Sequence, residues 1–487
     1  MRYPRFGRRH DSTLFVVLLG LTTLVLNGCS TGPRYARPTL PAPVPSAYKE
    51  AQGWKTAEPG DQTFRGKWWE IFGDAQLNAL EEQVAVSNQE LKAAEARLRE
   101  ARALIRFNRA AEFPTITTAP SLSSVRNSVH RPNYPASSGS EATGDLVLPF
   151  DLSYELDFWG RVRRTVEAAR EEAQATAADL ETARLSLQAE LALDYFELRS
   201  ADAQKQLLDD TVKAYTNALR LMTNRFAGGV APKSDVAQAQ TQLDTTRVQA
   251  TDTAVQRTAF EHAIATLIGK PPAAFSLDPA SGNIQPPNIS VGLPAQLLER
   301  RPDIAAAERR VAEANEQIGI ARAAFFPTVM LNASAGFEGT SIANWFSWPS
   351  HFWAVGPAML QTLFDAGRRR ATSEAALANY DATVADYRQT TLTAFQQVED
   401  NLAALRILEQ EAEQQQHAVN SAEESLRLFT NRYKGGVDTY LQVITAQTFV
   451  LTNARNSVDI LRRRMDASVL LIKALGGGWN VSSLPPP

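Results

Sequence analysis

Leu219-Arg220-Leu221-Met222-Thr223-Asn224-Arg225-Phe226-Ala227-Gly228-Gly229-Val230 returns later in the chain as Leu426-Arg427-Leu428-Phe429-Thr430-Asn431-Arg432-Tyr433-Lys434-Gly435-Gly436-Val437. The offset, 436 − 229 = 207, also relates Phe158-Trp159-Gly160-Arg161-Val162-Arg163-Arg164 to Asp365-Ala366-Gly367-Arg368-Arg369-Arg370. A third pair, Phe113-Pro114-Thr115 and Phe326-Pro327-Thr328, is 326 − 113 = 213 apart, so an insertion lies between the markers. Three landmarks in one order identify a tandem duplication, and an internal repeat governs everything else in the fold.

Each unit has the same rhythm. A helical stretch, about Asp74 to Glu112 and then Arg301 to Ala324, stops at Phe-Pro. Proline disfavours helix in the residue before it and can open a strand. A strand, a polar loop and a second strand follow, and Gly160 or Gly367 marks the return to helix. Arg161 to Arg225 and Arg368 to Arg432 are 65-residue runs without proline or glycine. At about 1.5 Å per residue each is a rod of roughly 100 Å, against about a dozen residues in an ordinary helix. Each rod turns at its Gly-Gly and returns as a shorter helix ending near Gly269 or Gly476. The rods are amphipathic: Leu180, Leu187, Leu191 and Leu198 mark the apolar stripe of the first, and Leu392, Phe395, Val398, Leu402 and Leu405 that of the second.

The strands carry a different period. From Leu146 to Phe158 every even position is apolar, while the odd ones include Asp151, Ser153, Glu155 and Asp157. Val329, Leu331, Ala333, Ala335 and Phe337 alternate with Thr328, Asn332, Ser334 and Gly336. Alternation over about ten residues suits a strand with lipid on one side and water on the other, and equally a soluble half-buried sheet. The cluster Trp345, Phe346, Trp348, Phe352, Trp353 favours the membrane, because aromatics collect at bilayer interfaces. The segment Ser341 to Leu363 alternates poorly, and only the repeat places a fourth strand there. Four strands cannot close a barrel, which needs about eight, and open edges are not tolerated in lipid. Membrane-spanning strands in this chain therefore require oligomerisation.

Composition narrows the classes further. The net charge of −3 with 21% charged residues lacks the basic excess of a nucleic-acid binder. Mean hydropathy is −0.26, which excludes a polytopic helical membrane protein with its repeated apolar runs. The single cysteine, Cys29, rules out an intramolecular disulfide framework. It follows Arg2, Arg5, Arg8, Arg9 and the apolar run Leu14 to Leu26, the pattern of a secretory signal. Leu26-Asn27-Gly28-Cys29 resembles the bacterial lipoprotein box, whose cysteine becomes the lipidated first residue, and Ser30 fits outer-membrane sorting. The expected organisation is a signal peptide over 1–28, a lipidated linker over 29–66, a first repeat over 67–275, a second over 290–476, and a tail over 477–487. The strands are expected at about 114–125, 146–158, 327–338 and 352–364.

Trp68-Trp69-Glu70-Ile71-Phe72-Gly73-Asp74, Leu156-Asp157-Phe158-Trp159-Gly160-Arg161, Glu299-Arg300-Arg301-Pro302-Asp303-Ile304 and the two glycine turns resemble the TolC-type outer-membrane efflux proteins, in the lipoprotein branch serving resistance-nodulation-division pumps. The resemblance implies a mainly α fold with membrane β: a long α-helical barrel in the periplasm, and four β-strands per chain contributing to a twelve-stranded trimeric β-barrel. It implies a homotrimer, a periplasmic adaptor, an inner-membrane pump, passage of drugs or other small molecules, and no enzymatic activity. No cofactor is expected beyond the covalent lipid on Cys29, and no metal. The exit duct of a type I protein secretion system and a non-pore periplasmic coiled-coil scaffold are the alternatives.

By the same resemblance the adaptor meets the tips Arg225, Phe226, Gly228, Gly229, Val230 and Arg432, Tyr433, Gly435, Gly436, Val437. Asp235 matches an acidic gate position, Tyr433 a gate-linked tyrosine and Leu441 a constricting leucine. Gln442 and Thr445 stand where acidic residues are often found, so a charged lock there must be built differently. All four tip glycines are expected to supply backbone freedom. If the even strand positions face lipid, Asp151, Glu155 and Asp157 face the lumen and form acidic rings favouring cations.

Overall fold

The computed structural model describes residues 31–40, 43–50, 66–126, 128, 130, 141–280, 285–287, 289 and 294–484. The expected signal peptide, Cys29, much of the linker and of the loop after Asn127, and Pro485 to Pro487 lie outside these residues.

The first repeat comprises α1 (Ala75–Ser87), α2 (Gln89–Arg109), β1 (Thr115–Thr117), β2 (Ser121–Val125), β3 (Thr143–Glu155), α3 (Arg161–Ala227) and α4 (Lys233–Leu267). The second comprises α5 (Pro294–Arg300), α6 (Pro302–Ala323), β4 (Thr328–Gly339), the one-turn α7 (Ile342–Trp345), β5 (His351–Leu360), α8 (Arg368–Lys434) and α9 (Tyr440–Ala474). Among the described residues no helix is long and apolar enough to cross a membrane.

Four details differ from the sequence expectation, each for a local reason. The first helical stretch is two helices, because Asn88 ends α1 in extended backbone and then caps α2, accepting from Leu91 N at 2.9 Å. Its amide also donates to Leu267 O at 2.8 Å, which pins the break to the end of α4. The first strand is interrupted at Ala119-Pro120, where proline has no N–H for the ladder. The interruption does not shift the pairing: Thr117 faces Asp151 and Ser121 faces Val147, four positions along on both strands. The third strand stops at Glu155, because Asp157 is already capping the rod: its carboxylate accepts from Val162 N and Arg163 N. Asp365 accepts from Gly367 N and Arg369 N at the start of the second rod. The poorly alternating segment is a loop helix followed by a strand that ends at Leu360, not near 364.

The sheet is antiparallel, in the order β1/β2, β3, β4, β5. Rows across it show what the alternation does. Ile116, Leu152, Ala333 and Val355 form one row; Thr117, Asp151, Ser334 and Ala354 form the next. One face is therefore continuously apolar and the other largely polar. Phe150, Trp353, Val355 and Met359 stand exposed on the apolar face. Among the described residues both outer edges, β1/β2 and β5, have only one partner strand.

Both rods are 67 residues long, as the missing proline and glycine foretell. The core runs along α3, where Leu191, Leu198 and Leu208 are fully buried among α1, α2, α4, α6 and α9. Each such leucine contributes about 1.5–3 kcal/mol. A buried ionic network fixes the middle of the molecule. Asp202 accepts from Arg199 at 2.9 Å and from Arg257 at 2.6 Å. The two guanidiniums also donate to the carbonyls of Asp278 and Leu277, which ties the inter-repeat connection to α3 and α4. Residues 31–40 and 43–50 lie as a strap against both repeats. Thr31 bonds to Trp159 O, Arg37 pairs with Glu308, and Glu50 pairs with Arg406.

Removing Asp202 leaves the buried Arg199 guanidinium without a carboxylate partner, and the half-buried Arg257 with Glu261 alone. Asp202→Ala should lose about 3 kcal/mol of stability, read as a lowered unfolding midpoint of the detergent-solubilised protein. A change below about 1 kcal/mol, the scale of a surface ion pair, would contradict the role given to this network.

Candidate functional site

The two rods end in superimposable turns. Val230 N donates to Arg225 O and Gly229 N to Phe226 O; Val437 N donates to Arg432 O and Gly436 N to Tyr433 O. This paired pattern is the Schellman helix ending, which requires a left-handed residue at its second bond. Gly229 and Gly436 supply it, with φ of 73° and 74°. Gly228 and Gly435 have φ of −80° and −76°, so their expected backbone freedom is not used. Val230 and Val437 project into solvent, each 67% exposed, with Phe226 beside them at 44%. Arg432 is folded back onto Asp438 at 2.5 Å, holding that carboxyl below its usual range. Arg225 has no equivalent, since Ala231 stands where the second tip has Asp438.

Behind the turns the tips share a small core of Met222, Ala239, Tyr433, Tyr440 and Val443. Tyr433 is at its centre. Its O–H meets Met222 Sδ at 3.1 Å, with Asp235 Oδ2 at 3.5 Å, long for such a bond. The Arg225 guanidinium lies 4.9 Å from the ring centroid, and the Tyr440 ring 5.3 Å away. Burial raises both phenols, that of Tyr440 to about 12, so both remain protonated. Asp235 is in the first turn of α4, which suits a carboxylate electrostatically as well. The structure thus brings Asp235 and Tyr433 together across the two repeats, and leaves Leu441, Gln442 and Thr445 exposed on α9. Thr445 donates to its own helix, at Leu441 O. Sequence reasoning missed Met222, Tyr440 and the stacking of Arg225. The signal available was the offset, which pairs Tyr433 with Phe226 and Asp235 with Gln442, so that each polar half occurs once.

On the sheet, Asp151 sits mid-strand on the polar face beside Thr117 and Ser334. Glu155 shares that face but is paired with Arg161 at 2.5 Å. Asp157 lies beyond the strand, caps α3 and pairs with Arg163. Strand parity adds two acids that sequence reasoning passed over: Asp145, opposite Ser123, and Glu338, opposite Val147. Among the described residues no cluster of His, Cys, Asp and Glu could hold a metal ion.

These features can be set beside known proteins. The family model described as Outer membrane efflux protein matches residues 80–270 and 293–477, the two repeats. The toluene efflux pump outer membrane protein TtgF of Pseudomonas putida is 34% identical over 474 residues, covering 95% of this chain and 97% of its own. Outer membrane protein OprJ of Pseudomonas aeruginosa is 32% identical, covering 99% and 97%. The solved outer-membrane channel OprN superposes with a TM-score of 0.86 at 28% identity, over 93% of this chain and 100% of that one. With both repeats matched by the family model and nearly the whole chain covered by these relatives, the chain belongs to the outer membrane efflux protein family: it is the outer-membrane channel of an efflux pump, a transport protein and not an enzyme.

Proposed function

We propose that three copies close one duct, with twelve strands in the outer membrane (3 × 4, β1 and β2 counting as one) and the rods as a tube across the periplasm. The observation that carries this reading is the sheet, apolar on one face and polar on the other, with both edges unpaired. In lipid those edges must be satisfied. The exposed Val230, Phe226 and Val437 suit docking of a periplasmic adaptor, which joins the duct to an inner-membrane pump of the resistance-nodulation-division type. The name of the toluene pump protein supports small apolar molecules as cargo. Cys29 carries the lipid. Thr31 is bonded at Trp159, the junction of sheet and rod, and two residues of chain reach about 7 Å at most, which suits an anchor at the periplasmic surface of the membrane.

The tip core is the gate in this reading, and Tyr433 joins one tip to the other. The Tyr433→Phe and Asp235→Asn pair removes that polar link and keeps the packing. It should raise the open probability in planar bilayers about fivefold, the weight of one net hydrogen bond. Unaltered gating would remove Tyr433 and Asp235 from the mechanism. Asp151, unlike Glu155, has no ion-pair partner among the described residues, and its threefold ring would favour cations. Asp151→Asn should lower the cation-to-anion permeability ratio of reconstituted channels at low salt; a ratio that does not move would show that the ring is not in the conduction path.

A further inference from the structure

Between β4 and β5, at the end of the sheet away from the rods, Thr340 to Ser350 form a loop built on the one-turn α7. The loop has no charged residue and holds Ile342, Trp345, Phe346 and Trp348. Its counterpart in the first repeat, between β2 and β3, carries Arg126, Arg131 and Glu141.

Two glycines fix the direction in which the second loop folds. Gly339 continues the row Val329, Leu331, Ala333, Ala335 and Phe337, and a Cβ there would lie 2.9 Å from the Trp345 Cα. Gly144 continues the row Leu146, Leu148 and Phe150 of β3, and a Cβ there would strike Thr340 O. Both rows belong to the apolar face, so the loop is bent over that face and away from the polar one. Phe346 meets Phe337 edge-on, with centroids 5.8 Å apart, and Trp345 Nε1 donates to Phe337 O at 3.3 Å. Leu146 beneath the loop is left only 7% exposed.

In place of Leu146 the loop presents Ile342, Phe346 and Trp348, which are 78%, 62% and 78% exposed. Its polar groups are turned inward. Ser347 Oγ and Ser350 Oγ both donate to Asn344 O, at 2.8 and 2.7 Å. Asn344 Oδ1 accepts from Ser341 N at 3.1 Å, and its amide donates to Thr340 Oγ1 at 3.3 Å. A segment that meets hydrocarbon must satisfy its polar groups internally, whereas one in water has no such need. Height points the same way. The apolar row of β4 from Val329 to Phe337 covers about 20 Å along the membrane normal at the usual strand rise and tilt, against a band of about 25 Å on an outer-membrane barrel. The rings of the loop supply the missing height at the end away from the rods.

We infer that this loop is an anchor in the outer leaflet. Ile342, Phe346 and Trp348 insert outside the barrel wall at the boundary of headgroups and acyl chains, where indole rings are favoured, and the loop is therefore no lid on the duct. The inference rests on the membrane assignment of the apolar face made above, with which the exposed rings are continuous.

Single cysteines carrying an environment-sensitive fluorophore test this in the full-length protein, reconstituted in phosphatidylcholine vesicles with part of the lipid bearing a doxyl quencher just below the headgroup. Labels on Ile342→Cys and Trp348→Cys should lose emission to the doxyl lipid as strongly as one on Val355→Cys, on the apolar face of β5. A label on Ser334→Cys, on the polar face, should keep its emission. The parent, treated alike, gives the background from Cys29. Labels at 342 and 348 that stay bright while the one at 355 is quenched would overturn the anchor and leave the faces of the sheet as assigned. A bright label at 355, or a quenched one at 334, would overturn the assignment of the faces and the anchor with it.

Discussion

The constraint on which the rest depends is that a β-strand in lipid must have both its edges hydrogen-bonded. Each unsatisfied peptide group there costs several kcal/mol. The chain presents a four-ladder antiparallel sheet whose edges, β1/β2 and β5, are open. Closure must come from other copies, so the membrane part dictates the oligomer. The oligomer in turn fixes where the rods stand, because Asp157 and Asp365 couple strand ends to rod starts through a few residues and a left-handed glycine, Gly160 or Gly367. Strand tilt is thereby transmitted to helices of roughly 100 Å, and to tips at their far end.

Much of this was legible in the sequence because its signals are periodic and doubled. Sixty-five residues without proline or glycine leave little but helix, and the Gly-Gly turns are marked twice. Strict alternation gave β3 and β4 their faces. What escaped was decided by single side chains. Asn88 splits the first helix only because its amide and carbonyl are both engaged, one by Leu267 and one by Leu91. Asp157 reads as one more odd-numbered strand residue until its oxygens are seen on the N–H groups of α3. At the tips the offset announces that Tyr433 and Asp235 are special. It cannot place Met222 against the hydroxyl or Arg225 over the ring, since those contacts depend on how α3, α4, α8 and α9 meet.

The duplication also explains why the two seams of the tube need not be equivalent. Within the chain Tyr433 of the second repeat meets Asp235 of the first, and Arg462 meets Glu197. Where copies meet in the three-chain duct, the repeat offset puts at the corresponding tip and mid-rod positions Phe226 with Gln442, and Val255 with Ala404. Neither pair contains an ion, and phenylalanine has no hydroxyl to donate. Apolar contact is non-directional and tolerates sliding, whereas a polar contact holds one geometry. A tube of identical seams would have to loosen everywhere at once. One in which polar and apolar seams alternate keeps each chain's two hairpins together as a unit, and lets neighbouring units move against each other at the tips while the closed sheet holds the other end fixed.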